Sequence, residues 1–172
     1  LDFIIWLPHV KVWEVKKDIE SILEKYDFIK HISVYMLEEY YYPEWWENIS
    51  IKEDDYLEEY IEVKNFLEKK GFNRYEVSNF AKPGYECKHN KAYWDHSEIR
   101  AIWLDASWYE GGVRYKISDN FTDFYSEKNI QREKLTLENI FTEKVMFGLR
   151  TWWIKEDLYL KLNKGKIEEF IK

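Results

Sequence analysis

Arg74-Tyr-Glu-Val-Ser-Asn-Phe-Ala-Lys-Pro-Gly-Tyr-Glu-Cys-Lys-His-Asn-Lys-Ala-Tyr-Trp94 is the run on which the rest of the chain turns. It opens with strand-forming residues, Arg74 to Ser78, and breaks at Pro83-Gly84. Beyond the break come the chain's only cysteine, Cys87, then His89, Asn90, Tyr93 and Trp94. A polar or ligand-capable side chain at nearly every other position is poor core material. Loops that mix reactive and aromatic residues are where binding and catalysis gather.

The elements on either side set the fold class. Phe3 to Leu7 is a continuous apolar run ended by Pro8, the pattern of a strand buried on both faces. Trp13, Val15, Ile19, Ile22, Leu23 and Tyr26 recur at helical spacing, and His31 to Leu37 makes a second strand. Strand, helix and strand in so short a span predict a βαβ unit with parallel strands and a right-handed crossover. An aromatic loop follows, with Tyr40, Tyr41, Tyr42, Trp45 and Trp46 around Pro43. Asp54 or Asp55 is expected to cap a helix carrying Tyr56, Leu57, Tyr60, Ile61, Val63, Phe66 and Leu67, and Gly71 to end it. After Trp94, Ile99 to Trp108 and Val113 to Ile117 read as strands joined across Glu110-Gly111-Gly112. A short helix is expected over 120–128. A longer one spans Leu135 to Leu149, with Ile140, Phe141, Val145, Met146 and Leu149 on one face, and an amphipathic helix runs from Ile154 to Ile171. The expected class is α/β: a mixed, partly parallel sheet, an antiparallel hairpin, and helices on the faces and at the C-terminus.

Composition narrows the function classes. At 172 residues the chain can bury roughly 70% of its unfolded surface, and 45% hydrophobic residues exclude a disordered chain. A net charge of -7 argues against nucleic-acid or anionic-membrane binding, which need a basic footprint. A single cysteine excludes an internal disulfide framework and suits a reducing cytoplasm. No apolar run approaches the roughly 20 residues of a membrane span. The chain lacks an initiator Met and starts on an apolar strand, so it is expected to be a piece of something longer.

The run Tyr75 to Gly84, followed by Cys87, His89-Asn90 and Tyr93-Trp94, resembles the signature of the HemW family of radical-SAM haem chaperones, relatives of oxygen-independent coproporphyrinogen III oxidase. His89, Asn90, Tyr93 and Trp94 match that family's H-N-x-x-Y-W motif, associated with haem handling. Phe3 to Pro8 resembles its D-L-I-Y-G-L-P strand, Ile32 to Leu37 the next strand, Ala101 to Ser107 with Gly111 to Tyr115 its glycine-rich hairpin, and Phe147 to Thr151 the start of its C-terminal helical region. The resemblance implies the C-terminal half of such a protein. It implies part of a radical-SAM barrel over 1–130, with 131–172 beginning the helical region and the two packed together. For the full-length family it implies SAM, a 4Fe-4S cluster, haem, haem-acceptor partners and a cytoplasmic location. Asp2 matches the acidic residue that contacts SAM there.

Two departures shape what is expected of this chain. A 4Fe-4S cluster of the radical-SAM kind needs three cysteine thiolates, typically C-x-x-x-C-x-x-C, and one cysteine cannot supply them. The chain alone is therefore expected to be non-catalytic. Tryptophan also replaces small residues: Trp6 stands where the family has glycine, Trp103 and Trp108 lie in or beside the glycine-rich hairpin, and Trp152-Trp153 follow later. Glycine serves positive φ or close approach, which tryptophan does not suit. Either a pocket is plugged or a fragment has been repacked, by nature or by engineering, into a scaffold without a ligand.

Candidate sites follow from these residues. His89 is a possible axial ligand of haem iron with Tyr93 and Trp94 as aromatic walls, or else a loop anchor. Cys87, His89 and His96 have the side chains, though not a standard spacing, for a transition metal. Asp105, Ser107 and His96 have the chemistry of a hydrolase triad, but no nucleophile elbow surrounds Ser107. The edge of an incomplete barrel invites self-association.

Overall fold

The computed structural model describes residues 1–7, 10, 13–37, 53–125 and 129–151. The Tyr40 to Trp46 loop, Trp152-Trp153 and the helix expected over 154–171 lie outside them. The chain divides into two compact units, Leu1–Cys87 and Lys88–Lys172.

The first unit runs β1 (Asp2–Ile5), α1 (Glu14–Lys25), β2 (His31–Met36), α2 (Glu53–Lys69), β3 (Asn73–Arg74) and β4 (Asn79–Ala81). Its sheet has the order β1-β2-β4-β3. β1 and β2 pair in parallel with Asp2 opposite Ser33, as the βαβ pattern predicts. The helices cover one face, where Ile5, Ile19, Ile32, Val34, Val63, Leu67, Phe72 and Phe80 form the core. β1 is not buried on both faces: it is an edge strand in which Phe3 and Ile5 turn towards the core while Asp2 and Ile4 are exposed.

α2 starts at Glu53, ahead of both aspartates expected to cap it. Its end is as anticipated. Gly71 has φ +81°, its N–H donates to the Glu68 carbonyl at 2.9 Å, and the Phe72 N–H donates to the Leu67 carbonyl at 2.9 Å. This is a Schellman motif, which needs a left-handed residue at the glycine position and pairs Phe72 with Leu67 in the core. The strand expected over 74–78 is instead two short strands around a fold-back. There the fully buried Glu76 accepts the Ser78 N–H at 2.7 Å and the side-chain amide of Asn79. A carboxylate taking two donors outbids the ladder over these residues.

Glu59, on α2, is almost wholly buried and accepts the Trp13 N–H at 3.0 Å. Burial pushes its carboxyl above the ordinary 4.5, although the Trp13 hydrogen bond opposes the shift. A folded-state value above the unfolded one means the folded chain holds the proton more tightly. Its contribution is then intact below pH 4.5 and is lost as pH rises through the folded value. Glu59→Gln is expected to raise the melting temperature of the first unit at pH 7, with the gain shrinking towards pH 4; thermal scans across pH check this.

The second unit runs α3 (Lys88–Trp94), β5 (Ser107–Glu110), β6 (Val113–Ile117), α4 (Phe121–Phe124), β7 (Ile130–Lys134) and α5 (Leu137–Thr151). β5, β6 and β7 form an antiparallel sheet, turned between β5 and β6 at Gly111 and Gly112, both with positive φ. The strand expected from Ile99 begins only at Ser107, because Asp105 at φ +56° bends the chain first. Of the helix expected over 120–128, residues 126–128 lie outside the described ones; the described part holds one turn, Phe121–Phe124, capped by Asn120 on the Thr122 N–H. β7 was not anticipated: its Gln-Arg-Glu-Lys run carries no strand pattern, and pairing with β6 makes it a strand. Thr136 and Asn139 form a reciprocal capping box at the start of α5. The inward face of α5 centres on Val145 and Gly148, while Met146 and Leu149, expected on that face, are exposed. Among the described residues, no helix is long and apolar enough to cross a membrane.

Candidate functional site

The segment read as a loop from Cys87 to Trp94 is mostly a helix. The turn at Pro83-Gly84 is closed by the Tyr85 N–H on the Lys82 carbonyl at 2.9 Å, and α3 begins at Lys88. In a helix His89 and Tyr93 stand one turn apart, as do Asn90 and Trp94, so the motif's spacing is itself a helical signal. α3 ends as α2 does. The His96 N–H donates to the Tyr93 carbonyl at 3.0 Å and the Ser97 N–H to the Ala92 carbonyl at 2.9 Å. His96, at φ +54°, occupies the left-handed position that glycine usually fills.

The four motif residues do not share one role. His89 is exposed, with its ring edge-on to Tyr93 at 5.1 Å. Tyr93 keeps part of its ring in solvent while its hydroxyl donates to the Ser107 carbonyl at 2.9 Å. Trp94 packs edge-on against Phe147 of α5 at 5.6 Å, with the Arg150 guanidinium 4.6 Å over its ring. Asn90 is half-buried. α3 is thus fastened by Tyr93 and Trp94 and presents His89 to solvent, flanked by the exposed Lys88 and Lys91.

A cavity of about 100 Å³ lies beside this helix, lined by Tyr93, His96, Ser107, Trp108, Tyr109, Arg114, Glu143 and Phe147 among others. Pockets for drug-sized ligands run to about 300–1,000 Å³, so this one takes a small group and no tetrapyrrole. Two residues that sequence inspection missed define its polar wall. Glu143 pairs through Oε2 with His96 Nε2 at 2.8 Å and through Oε1 with Arg114. Both lie inside amphipathic elements with nothing local to distinguish them from surface charges.

His96 is therefore committed to Glu143, its side chain only 3% exposed. Among the described residues, no three His, Cys, Asp or Glu side chains are placed to hold a metal ion, so Cys87, His89 and His96 do not form one site. Of the residues with triad chemistry, Asp105 pairs with Lys116 at 2.9 Å and His96 with Glu143. Trp103 is 64% exposed, its ring 5.6 Å from that of Phe124.

In the first unit Asp2, Ser33 and Asn79 are register partners across β1, β2 and β4, and so lie in one row on the sheet face opposite the helices. Ser33 and Asn79 are buried while Asp2 is exposed. His31, one strand step away on the same face, meets the Tyr75 hydroxyl at 2.7 Å. Burial, followed by the nearby amino-terminal charge, holds its imidazole below the ordinary value.

No protein-family model matches the chain. It is similar to the heme chaperone HemW of Lactococcus lactis, 34% identical over 160 residues, covering 87% of this chain and 42% of that protein. The HemW of Bacillus subtilis is 33% identical over 99 residues, covering 54% and 26%. That of Buchnera aphidicola is 28% identical over 145 residues, covering 80% and 38%. The chain thus spans less than half the length of these relatives. Among solved structures it is similar in fold to the Escherichia coli coproporphyrinogen III oxidase HemN, described as a radical SAM enzyme, with a TM-score of 0.61 at 14% identity, over 87% of this chain and 39% of that one.

Proposed function

We propose that this chain, which is HemW-like, binds haem on the outer face of α3 through His89 and does no radical chemistry by itself. The exposed imidazole carries the proposal: His89 is the motif residue left free by the packing of Tyr93 and Trp94. A neutral imidazole is a common axial ligand for haem iron, and the Tyr93 ring beside it suits a porphyrin edge. Lys88 and Lys91 offer cationic partners for propionate carboxylates.

The residues fit the other groups of the HemW proteins unequally. One cysteine cannot assemble a cluster that needs three thiolates, so nothing is routed through iron-sulfur chemistry here. The polar row of Asp2, Ser33 and Asn79 is the inner wall of a half-barrel, and Asp2 is the residue on it that would meet SAM in a complete protein. Haem-acceptor proteins as partners, self-pairing through the β1 edge and a cytoplasmic location belong to the same proposal. They are supported respectively by the similarity to HemW, by the edge position of β1, and by the single cysteine.

The test is a haemin titration followed in the Soret region, with His89→Ala alongside. A saturable one-to-one transition is expected in the parent chain, with at least about a tenfold loss of affinity in the variant. Equal binding by both would reduce the site to adhesive aromatic surface.

A further inference from the structure

Three elements of the second unit converge on one carboxylate. Glu143 comes from α5. Its Oε2 meets His96 Nε2 at 2.8 Å, at the C-terminal turn of α3, and its Oε1 accepts from Arg114 of β6. Arg114 is held from its other side by Glu133 of β7, its cross-strand partner, at 2.9 Å. The His96 ring is enclosed, its centroid 4.2 Å from that of Tyr109 and 5.9 Å from that of Phe147. Its backbone is left-handed, a conformation strained for a residue that carries a side chain. A helix end needing only a cap would take glycine there. A histidine in that place brings an imidazole to the carboxylate that glycine cannot supply.

We propose that Glu143 is a positioning residue for the α3 site: through His96 it fixes the last turn of α3, keeping Tyr93 and Trp94 seated and His89 presented outward. Its role in ligand binding rests on the haem proposal above, whereas its hold on the helix does not. Glu143 touches no ligand under this scheme. Glu133 and Arg114 keep its second oxygen in place, so the first stays aimed at the imidazole.

The experiment uses the full chain and three variants, with two readouts: haemin affinity from the Soret titration, and amide hydrogen exchange of α3 compared with β5 to β7. Glu143→Gln keeps an acceptor for an imidazole N–H but gives up the oxygen that accepts from Arg114, and is expected to fall between the parent and Glu143→Leu. Glu143→Leu removes the acceptors of both His96 and Arg114, and is expected to lose at least about tenfold in haemin affinity and to speed exchange in α3 above β5 to β7. His96→Gly relaxes the backbone but removes the imidazole, and is expected to follow Glu143→Leu; a purely capping role predicts slower exchange instead. Unchanged α3 exchange in both disruptive variants overturns the proposal. So does acceleration spread equally through β5 to β7, which would make Glu143 a general stabiliser of the unit. If the parent chain binds no haemin, the haem proposal fails while α3 exchange still decides the positioning one.

Discussion

Replacing Phe72 by alanine is expected to destabilise the first unit by about 3–5 kcal/mol, the usual range for deleting a buried aromatic ring. Phe72 is 1% exposed and does two things at once. Its backbone N–H closes the Schellman motif after α2, and its ring fills the core beside Leu67 and Phe80. The Lys82 ammonium lies 4.5 Å over the same ring, so a cation–π contact goes with it. Folded domains have only about 5–15 kcal/mol in reserve, so this single change consumes much of the margin. The measurement is hydrogen exchange by mass spectrometry on peptides from residues 1–87, which isolates this unit from the other. Faster exchange across α2, β2 and β4 together is the expected result; an unchanged β2 would contradict the placement of Phe72 in the common core.

Glu76→Ala is expected to cost the same unit about 2–4 kcal/mol, for a different reason. The ring deletion leaves a void, whereas this one leaves donors stranded. The Ser78 N–H and the Asn79 amide both lose a buried charged acceptor, and each unsatisfied group carries a penalty of about 1–3 kcal/mol. The desolvation of the carboxylate, relieved on truncation, offsets part of the loss. Glu76→Gln retains one acceptor oxygen and should fall well short of the alanine variant. Exchange at Ser78 and Asn79 distinguishes the two: it should rise sharply for alanine and little for glutamine.

These two residues also mark what could be read in the chain beforehand. The path into Phe72 was legible, because apolar spacing on α2 and a glycine at its end are local signals. The parallel pairing of β1 and β2 followed from the same kind of evidence, and so did the Gly111-Gly112 turn. Glu76 was not legible: a Tyr-Glu-Val-Ser run looks like a strand until its carboxylate finds two donors in its own fold-back. α3 was hidden because its stop signal is a histidine, where glycine would have announced a helix end. β7 was hidden by its charges, since only its pairing with β6 makes it a strand. Within the candidate site the identities of His89, Tyr93 and Trp94 were evident. Their division of labour was not, because it depends on Phe147 and Arg150, more than fifty residues away.

Trp6 has φ +67° and packs against the core of the first unit. Glycine alone adopts this conformation without strain, yet here the chain bends left-handed with an indole attached. The bend is therefore imposed by what packs around it and not by the residue that sits in it. A search for corners that looks only for glycine would pass over this one.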